Sequence, residues 1–376
     1  MSENAVKPSP RGRGSAIARN AGVLSLLALA ALFVALVNLP APRSAAPQLA
    51  GALAPVSLAT PTATTRTALS ALPTFTPVPA SAIAAAVNQA DPRSGQPPAG
   101  SLPLVVGRLL GSEGEGPGQF QQPRAIVVGK DGRLYVTDTG NRRVQAFDAE
   151  GRYLFAFDSP DGQNKFTEPF GMVMTSKGDL VVMDADEGRM YRFDTDGRPL
   201  GALDSTAKFY KPRGFSIDKA DNFYIADTGG SRILKLDKDA GVAMVIGERG
   251  KEPGQVDQPC DAIGDSTGEV WVSDCVNGRV QLFGSDGAFK LQFAIPASDP
   301  LNGSRLALGP DQTLYVTNPP THRILKFSRT GQPLGDFGSE GREAGQFRLL
   351  TGITFSGSSI WVADTANNRI QKLQPR

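Results

Sequence analysis

The feature that most constrains the fold of this chain is a motif that recurs six times, about every 45 residues, after residue 100. In each copy an aromatic residue or Val is followed after three residues by Asp or Asn, and after five more by Arg. These pairs are Asp138 and Arg143, Asp184 and Arg189, Asp227 and Arg232, Asp274 and Arg279, Asn318 and Arg323, and Asp364 and Arg369. A repeat of this length is typical of folds in which each copy forms one supersecondary unit.

Each copy has the pattern of four short strands. In the first copy the apolar run AIVV is followed by the turn sequence KDGR and a second apolar run, LYVTD. RVQAFD and YLFAFD then supply a third and a fourth strand, while nothing after residue 100 is long enough for a core helix. Six such units predict an all-β fold, a six-bladed β-propeller over residues 101–376.

The two ends of the repeat region indicate how the ring closes. The sixth copy stops one strand short, and the first is preceded by GSEGEGPGQF, which matches GSEGREAGQF at Gly338–Phe347. We therefore expect Leu104–Leu110 to form the outer strand of the sixth blade. Pairing the start of the chain with its end would remove an open seam.

Three stretches carry a resemblance to a known family. GEGPGQFQQPRAIVV, YVTDTGNRRVQAF and WVADTANNRIQKL resemble NHL repeats, and the resemblance covers residues 104–373. It implies a disc of six blades with a central channel and loop-built faces. NHL propellers serve as protein-binding, RNA-binding and sensor modules, and their relatives include amidating lyases and lactonases, so the resemblance alone does not choose a function.

The first hundred residues differ from the repeats. Residues 21–39 carry no charge and, at about 1.5 Å per residue, could cross a bilayer as a helix. The basic residues before them predict a cytoplasmic tail at 1–20, a signal anchor at 21–39 and an extracytoplasmic propeller. Cleavage as a signal peptide is the alternative, and both readings export the rest. Residues 40–100, rich in Ala, Pro and Thr, are expected to form a disordered linker. With this anchor, the resemblance is to membrane-anchored, bacterial-type NHL-repeat proteins at the cell membrane.

Composition limits the partners. Residues 1–100 hold seven Lys or Arg against two Asp or Glu, whereas the rest holds 32 basic and 35 acidic residues. The repeat region is therefore slightly acidic, and we expect no nucleic-acid partner. One His and two Cys exclude a three-histidine metal site and a four-cysteine zinc site. We expect no cofactor and assign no metal ligand and no catalytic residue.

A residue needed in every blade is more probable in a structural role than in a ligand site. An Arg fork can bond a carboxylate and loop carbonyls together, so the repeated Asp/Asn–Arg pairs are expected to fix the turn between second and third strands. Function is expected where the copies differ, at the two positions after the Pro that begins most copies. The candidates there are Arg124, Phe170, Arg213, Asp261 and Arg305.

The second of these positions lies near the channel axis, where most copies have Gly or Ala. Asp261 and Arg305 depart from this pattern. Their blades are neighbours, so we expect them within salt-bridge reach at the channel mouth. Two interpretations stay open: a plug that neutralises itself, and the polar floor of a ligand site.

The two cysteines lie in the fourth copy. If Ser266–Glu269 is a hairpin turn, Cys260 faces Cys275 across two strands, which predicts a disulfide, with free buried thiols as the alternative. Export to an oxidising compartment agrees with a disulfide.

These features favour a membrane-tethered extracytoplasmic binding or scaffold module that recognises a protein or glycan through propeller-face loops. The alternative is a propeller enzyme, a lyase or lactonase-like hydrolase with a metal at the channel mouth, where Asp261 alone is well placed.

Overall fold

The computed structural model describes residues 100–376, which form six four-stranded antiparallel sheets around a central channel. In each sheet the strands follow one another outward in chain order, except in the last, which takes its outer strand from the start of the repeat region. The six innermost strands contact one another in a closed ring. The prediction of an all-β, six-bladed propeller is confirmed.

The strands are numbered in chain order, and each blade is numbered by its innermost strand. Blade one comprises β2 (Pro123–Val128), β3 (Leu134–Asp138), β4 (Arg143–Phe147) and β5 (Tyr153–Phe157). Blade two comprises β6 (Pro169–Met174), β7 (Leu180–Asp184), β8 (Arg189–Phe193) and β9 (Pro199–Leu203). Blade three comprises β10 (Gly214–Ile217), β11 (Phe223–Asp227), β12 (Arg232–Leu236) and β13 (Val242–Ile246).

Blades four to six complete the ring. Blade four comprises β14 (Asp261–Gly264), β15 (Val270–Asp274), β16 (Arg279–Phe283) and β17 (Phe289–Ala294). Blade five comprises β18 (Leu306–Leu308), β19 (Leu314–Asn318), β20 (Arg323–Phe327) and β21 (Pro333–Phe337). Blade six comprises β22 (Leu350–Ser356), β23 (Ser359–Asp364), β24 (Arg369–Pro375) and β1 (Leu104–Leu110). The helical elements of the described residues are four short 3-10 turns at Thr139–Asn141, Thr228–Gly230, Pro319–Thr321 and Thr365–Asn367.

The hydrophobic core is divided among the contacts between neighbouring blades. It consists of six clusters, and each cluster draws its side chains from two adjacent sheets. The second strand of every blade is buried almost along its whole length because another sheet covers each of its faces. The fourth strands lie at the rim and are half exposed. In blade one, therefore, LYVTD forms the buried second strand, and YLFAF forms the fourth strand at the rim.

The ring closes as the repeats predicted. β1 pairs antiparallel with β24, with Leu104 opposite Pro375 and Leu110 opposite Ile370. On the inner side, the Thr365 hydroxyl of blade six donates to the Pro123 carbonyl of blade one (2.6 Å). The Thr after the repeated Asp makes the same bond between blades one and two and between blades three and four. Closure therefore uses a strand pair at the rim and a hydroxyl contact near the axis.

The hairpin between first and second strands differs by one residue from the sequence prediction. In blade four the N–H of Asp265 donates to the carbonyl of Glu269 (2.8 Å), so three residues form the loop. Gly268 takes a positive φ of 84°, the geometry of a turn followed by a left-handed residue. The register shifts accordingly, and Asp261 faces Ser273.

The predicted cytoplasmic tail, signal anchor and most of the linker, residues 1–99, lie outside the described residues. Within residues 100–376 no helix has the length and apolar character needed to cross a bilayer.

Candidate functional site

The inner strands start at one face of the disc and end at the other. The face at which they start also carries the turns between second and third strands and the connections between blades, and is called here the loop face. The opposite face carries two hairpins in each of blades one to five and one in blade six, and is called the hairpin face. Every sequence-predicted candidate residue lies near the start of an inner strand, so all belong to the loop-face end of the channel.

The repeated Asp–Arg ion pair forms in four blades. The Arg Nε lies 2.7–2.8 Å from an Asp Oδ2 in blades one, three, four and six. The remaining guanidinium N–H groups donate to carbonyls of the connection that leads into the blade, such as those of Gly116 and Gln119 for Arg143. The fork therefore fixes the connection between blades, where the sequence had predicted the turn between second and third strands.

The pair is absent from blades two and five, which corrects the prediction there. In blade two the Asp184 carboxylate accepts bonds from Thr167 and Glu168, and Arg189 turns outward to Asp204 (3.2 Å). In blade five Asn318 has no charge to offer, and Arg323 pairs with Asp336 (2.8 Å).

Sequence reasoning missed two further partners of the Asp. In blade one Asn141 Nδ2 (2.8 Å) and Gln145 Nε2 (2.9 Å) also donate to Asp138 Oδ2. The same four-residue network forms in blades four and six, around Asp274 and Asp364. The sequence contains a pattern that could have predicted this network. Only these three copies combine Asn three residues after the Asp with Gln two residues after the Arg.

The central channel contains a cavity of about 430 Å³ that all six inner strands line. Its charged lining residues are Arg124, Arg213, Asp261 and Arg305, and all four lie at the loop-face end. Phe170 lies among them. The structure thus brings the five predicted candidates together around one cavity.

Three of these side chains converge on one aromatic ring. The guanidinium carbons of Arg124, Arg213 and Arg305 lie 4.6, 4.7 and 5.4 Å from the centroid of the Phe170 ring. Phe170 is only 2 % exposed. Arg305 comes from blade five, opposite the Phe170 blade, so its side chain extends across the channel. We call these three arginines and Phe170 the guanidinium cluster.

The guanidinium cluster has fewer acceptors than donors. Arg213 pairs with Glu168 (2.7 Å), Arg124 Nη1 donates to the Asn302 side chain (3.2 Å), and Arg305 Nη1 donates to the Cys260 carbonyl. Arg124 Nε and Arg305 Nη2 are buried and have no partner. Buried donors are satisfied in nearly all native structures, so two orphans at one cavity mark an unusual site.

Asp261 and Arg305 do not form the expected ion pair. Asp261 accepts the backbone N–H of Leu306 (2.8 Å) and of Ala262 (3.0 Å). Because these bonds hold its carboxylate against the backbone of β18, the Arg305 guanidinium passes it and reaches the Cys260 carbonyl instead. The interpretation of a plug that neutralises itself by this salt bridge is therefore wrong in its geometry.

Burial dominates the electrostatics of the site. Burial, together with the charges of Arg305 and Arg213, lowers the pKa of Arg124 to about 10. Burial likewise lowers the pKa of Arg305 to about 10, with Arg213 adding repulsion and Asp261 opposing it. Burial raises the pKa of Asp261 to about 6, although Arg305 and two backbone N–H groups favour its charged form. Perturbed groups gathered in a cavity are characteristic of functional sites.

The disulfide prediction is confirmed, since Cys260 and Cys275 are bonded in blade four. The predicted register was off by one residue, yet the two Cα atoms lie 5.8 Å apart and the bond forms. The connection from blade four to blade five packs on the sulfurs: a Cβ on Gly303 would lie about 1.9 Å from Cys260 Sγ. Since this connection supplies Asn302, the disulfide supports a neighbour of the guanidinium cluster.

Among residues 100–376, no group of three or more His, Cys, Asp or Glu side chains is placed to hold a metal ion.

Comparisons with known proteins agree with this architecture. The model of the NHL repeat family matches residues 120–147. NHL repeat-containing protein 3 of Homo sapiens is 33% identical over 82 residues, 21% of this chain and 24% of the relative. Peptidylglycine alpha-amidating monooxygenase of Rattus norvegicus is 36% identical over 98 residues, 24% of this chain and 10% of the relative. The chain thus spans a quarter or less of the length of these relatives.

Solved structures with the same fold are distant in sequence. Virginiamycin B lyase of Staphylococcus aureus superposes with a TM-score of 0.53 at 15% identity, over 72% of this chain and 98% of the lyase. An auxiliary nutrient binding protein of Bacteroides ovatus gives 0.53 at 12% identity, over 73% of this chain and 78% of that protein. At such identities the likeness shows the fold alone.

Proposed function

We propose that this chain, which belongs to the NHL-repeat β-propellers, is a binding module that recognises a protein or a glycan through its loop face. We further propose that residues 21–39 tether it to the cell membrane, with residues 1–20 in the cytoplasm and the propeller outside. The Cys260–Cys275 disulfide supports this placement, because disulfides persist in oxidising compartments.

The distribution of exposed apolar side chains is the observation that carries the proposal. Among the described residues, most of the large exposed ones lie on the outer strands of the blades. The other three, Tyr210, Val276 and Leu301, all lie on the loop face, in the sector of blades three to five. Tyr210 is 66 % exposed. Aromatic and apolar side chains on rigidly held loops are typical of the centre of recognition surfaces.

The framework around this sector is suited to presenting a fixed surface. Gly229, in the turn of blade three, packs against the Tyr210 ring, where a Cβ would lie about 2.2 Å from a ring carbon. The connection that carries Leu301 rests on the disulfide of blade four. Preorganised loops lose less conformational entropy when a partner binds, which favours affinity.

The alternative of a metal enzyme, with the metal beside Asp261 at the loop-face end of the channel, has weaker support. Among residues 100–376, Asp261 is the one carboxylate that lines the cavity, and both its oxygens accept backbone N–H bonds. The guanidinium cluster beside it would repel a divalent cation. These residues do not fit a metal, and we derive no metal-dependent step.

The proposal is tested by affinity capture with the full chain from the cell that makes it, followed by mass spectrometry and by a glycan array. A Tyr210→Ser, Leu301→Ser variant is expected to lose the partner by at least tenfold in recovered amount. Leu200→Ser, on the outer strand of blade two and 50 % exposed, is the matched control and is expected to retain it.

Equal loss in both variants, or equal retention, would reject the loop face as the recognition surface. The tether is tested separately by fractionation and by protease treatment of intact cells. We expect a membrane-bound chain that begins before residue 21 and whose propeller is accessible only from outside.

A further inference from the structure

The channel is more deeply buried at the loop-face end than at the hairpin-face end. The lining residues at the start of the inner strands include Arg124, Asp261 and Arg305, which are buried, and Arg213, which is half-buried. Those at the strand ends are half-buried: Val128, Met174, Ile217, Leu308 and Phe355. The cavity is therefore a funnel whose mouth is at the hairpin face and whose floor is the guanidinium cluster.

The walls and the floor of the funnel differ in chemistry. Beyond the floor, the lining residues have apolar side chains, except for Ser216 and Thr354, which carry no charge. At the floor three guanidinium groups line the cavity with the Asp261 carboxylate, and one of them, that of Arg213, also pairs with Glu168 (2.7 Å). A ligand that fits both parts must carry negative charge at one end and apolar surface along its body.

The floor also holds donors that the protein itself leaves unused. Arg124 Nε and Arg305 Nη2 are buried without an acceptor, and both belong to residues at most 7 % exposed. An unpaired buried donor is destabilising, and an anionic oxygen is its strongest acceptor. The guanidinium carbons of Arg124 and Arg305 lie 4.6 and 5.4 Å from the centroid of the Phe170 ring, within the range of cation–π contacts.

We propose that the channel binds a small amphiphilic oxyanion, with its carboxylate or phosphate head on the guanidinium cluster and its apolar body between the inner strands. The volume of about 430 Å³ lies within the range of small-molecule sites, roughly 300–1,000 Å³. The ligand enters from the hairpin face. This site goes beyond the proposed recognition at the loop face and does not depend on it.

Calorimetry on the full chain in lipid nanodiscs, with empty nanodiscs as the blank, tests the proposal. The probes are octanoate, octyl phosphate, octanol and acetate. At least one of the two amphiphilic anions is expected to bind once per chain and at least tenfold more tightly than octanol or acetate. The tighter of the two identifies the head group.

Variants locate the site. Arg124→Gln and Arg305→Gln are each expected to weaken the anion at least tenfold. Arg198→Gln, at an exposed hairpin of blade two, is the matched control and should stay within twofold of the native affinity. Met174→Trp keeps every arginine but fills the funnel near its mouth, and it is also expected to weaken binding at least tenfold.

Three results would overturn the proposal. One is octanol binding as tightly as octanoate and octyl phosphate, and another is the absence of any heat above that of empty nanodiscs. The third is anion binding that survives Met174→Trp, which keeps the test decisive if an arginine variant does not fold. Loss of loop-face partners in Tyr210→Ser, Leu301→Ser with anion binding intact would reject only the proposed function.

Discussion

Arg305 and Asp261 bond to each other's neighbours rather than to each other. The Arg305 guanidinium donates to the carbonyl of Cys260, which precedes Asp261, and the Asp261 carboxylate accepts the N–H of Leu306, which follows Arg305. The two crossed bonds tie β14 to β18 close to the channel axis. They also leave one guanidinium nitrogen of Arg305, Nη2, buried without an acceptor.

The first prediction concerns pH. Because burial raises the pKa of Asp261 from 3.8 to about 6, the folded state holds its proton more tightly than the unfolded state. This contribution to stability is fully present below about pH 4 and is lost as pH rises through 6. Asp261→Asn cannot titrate, so the difference in Tm between native and variant protein should change over that interval. Arg305, with a pKa of about 10, stays charged throughout, and a constant difference from pH 4 to pH 7 would contradict the expectation.

The second prediction concerns the repeated ion pair. Arg279 is nearly buried and bonds to Asp274 (2.7 Å). Arg189 is exposed and pairs with Asp204 instead of the Asp of its own repeat. Arg279→Leu should lower the free energy of unfolding by about 3–5 kcal/mol, since it leaves a buried carboxylate without its cation. Arg189→Leu should change it by less than about 0.5 kcal/mol. Urea denaturation of both variants measures the contrast, and equal effects would show that position in the repeat matters more than the contact.

The third prediction concerns the disulfide. Cys260→Ala, Cys275→Ala opens a covalent loop with a sequence separation of 15, which should cost about 3 kcal/mol in unfolding free energy. The propeller should persist, and hydrogen exchange should accelerate in the connection 296–304 that packs on the sulfurs. Uniform acceleration in all blades would contradict a local role. Exchange in β4 and β5, the two outer strands of blade one, serves as the internal control, because they lie far from the bond along the chain and do not include Arg124, which contacts Asn302.

The fourth prediction concerns ring closure. Leu104 of β1 is buried in the core shared by blades five and six, while Leu109 of the same strand is 44 % exposed. Leu104→Ala should cost about 2–5 kcal/mol, and Leu109→Ala less than about 0.5 kcal/mol. Thermal unfolding measures both. If Leu104→Ala leaves Tm unchanged, β1 contributes little to closing the ring.

Much of the fold could be read from the repeats. Their period, strand pattern and matched connections predicted six blades and the closing strand Leu104–Leu110, because each copy must bury its faces against the next. The hairpin register in blade four was wrong by one residue, since the same Ser-Thr-Gly-Glu sequence permits two-residue and three-residue loops. The predicted Asp184–Arg189 pair was wrong because the Asp184 carboxylate accepts a hydrogen bond from Thr167, which lies outside the aligned motif.

The candidate site was only partly predictable. Differences between the copies at the two positions after the Pro pointed to Arg124, Phe170, Arg213, Asp261 and Arg305, and the structure places all five at one cavity. That Arg305 crosses the channel to Phe170 and passes by Asp261 depends on side-chain directions that no spacing encodes.

The sequence by itself determined the number of blades, the order of strands, the closing partner and the covalent link in blade four, because periodic patterns and local turns govern which segments pair. The tertiary structure alone decided which charges meet, which donors remain unpaired and which end of the channel is more deeply buried. Those properties arise where six distant segments converge at the axis, and their side chains compete there for the same few acceptors.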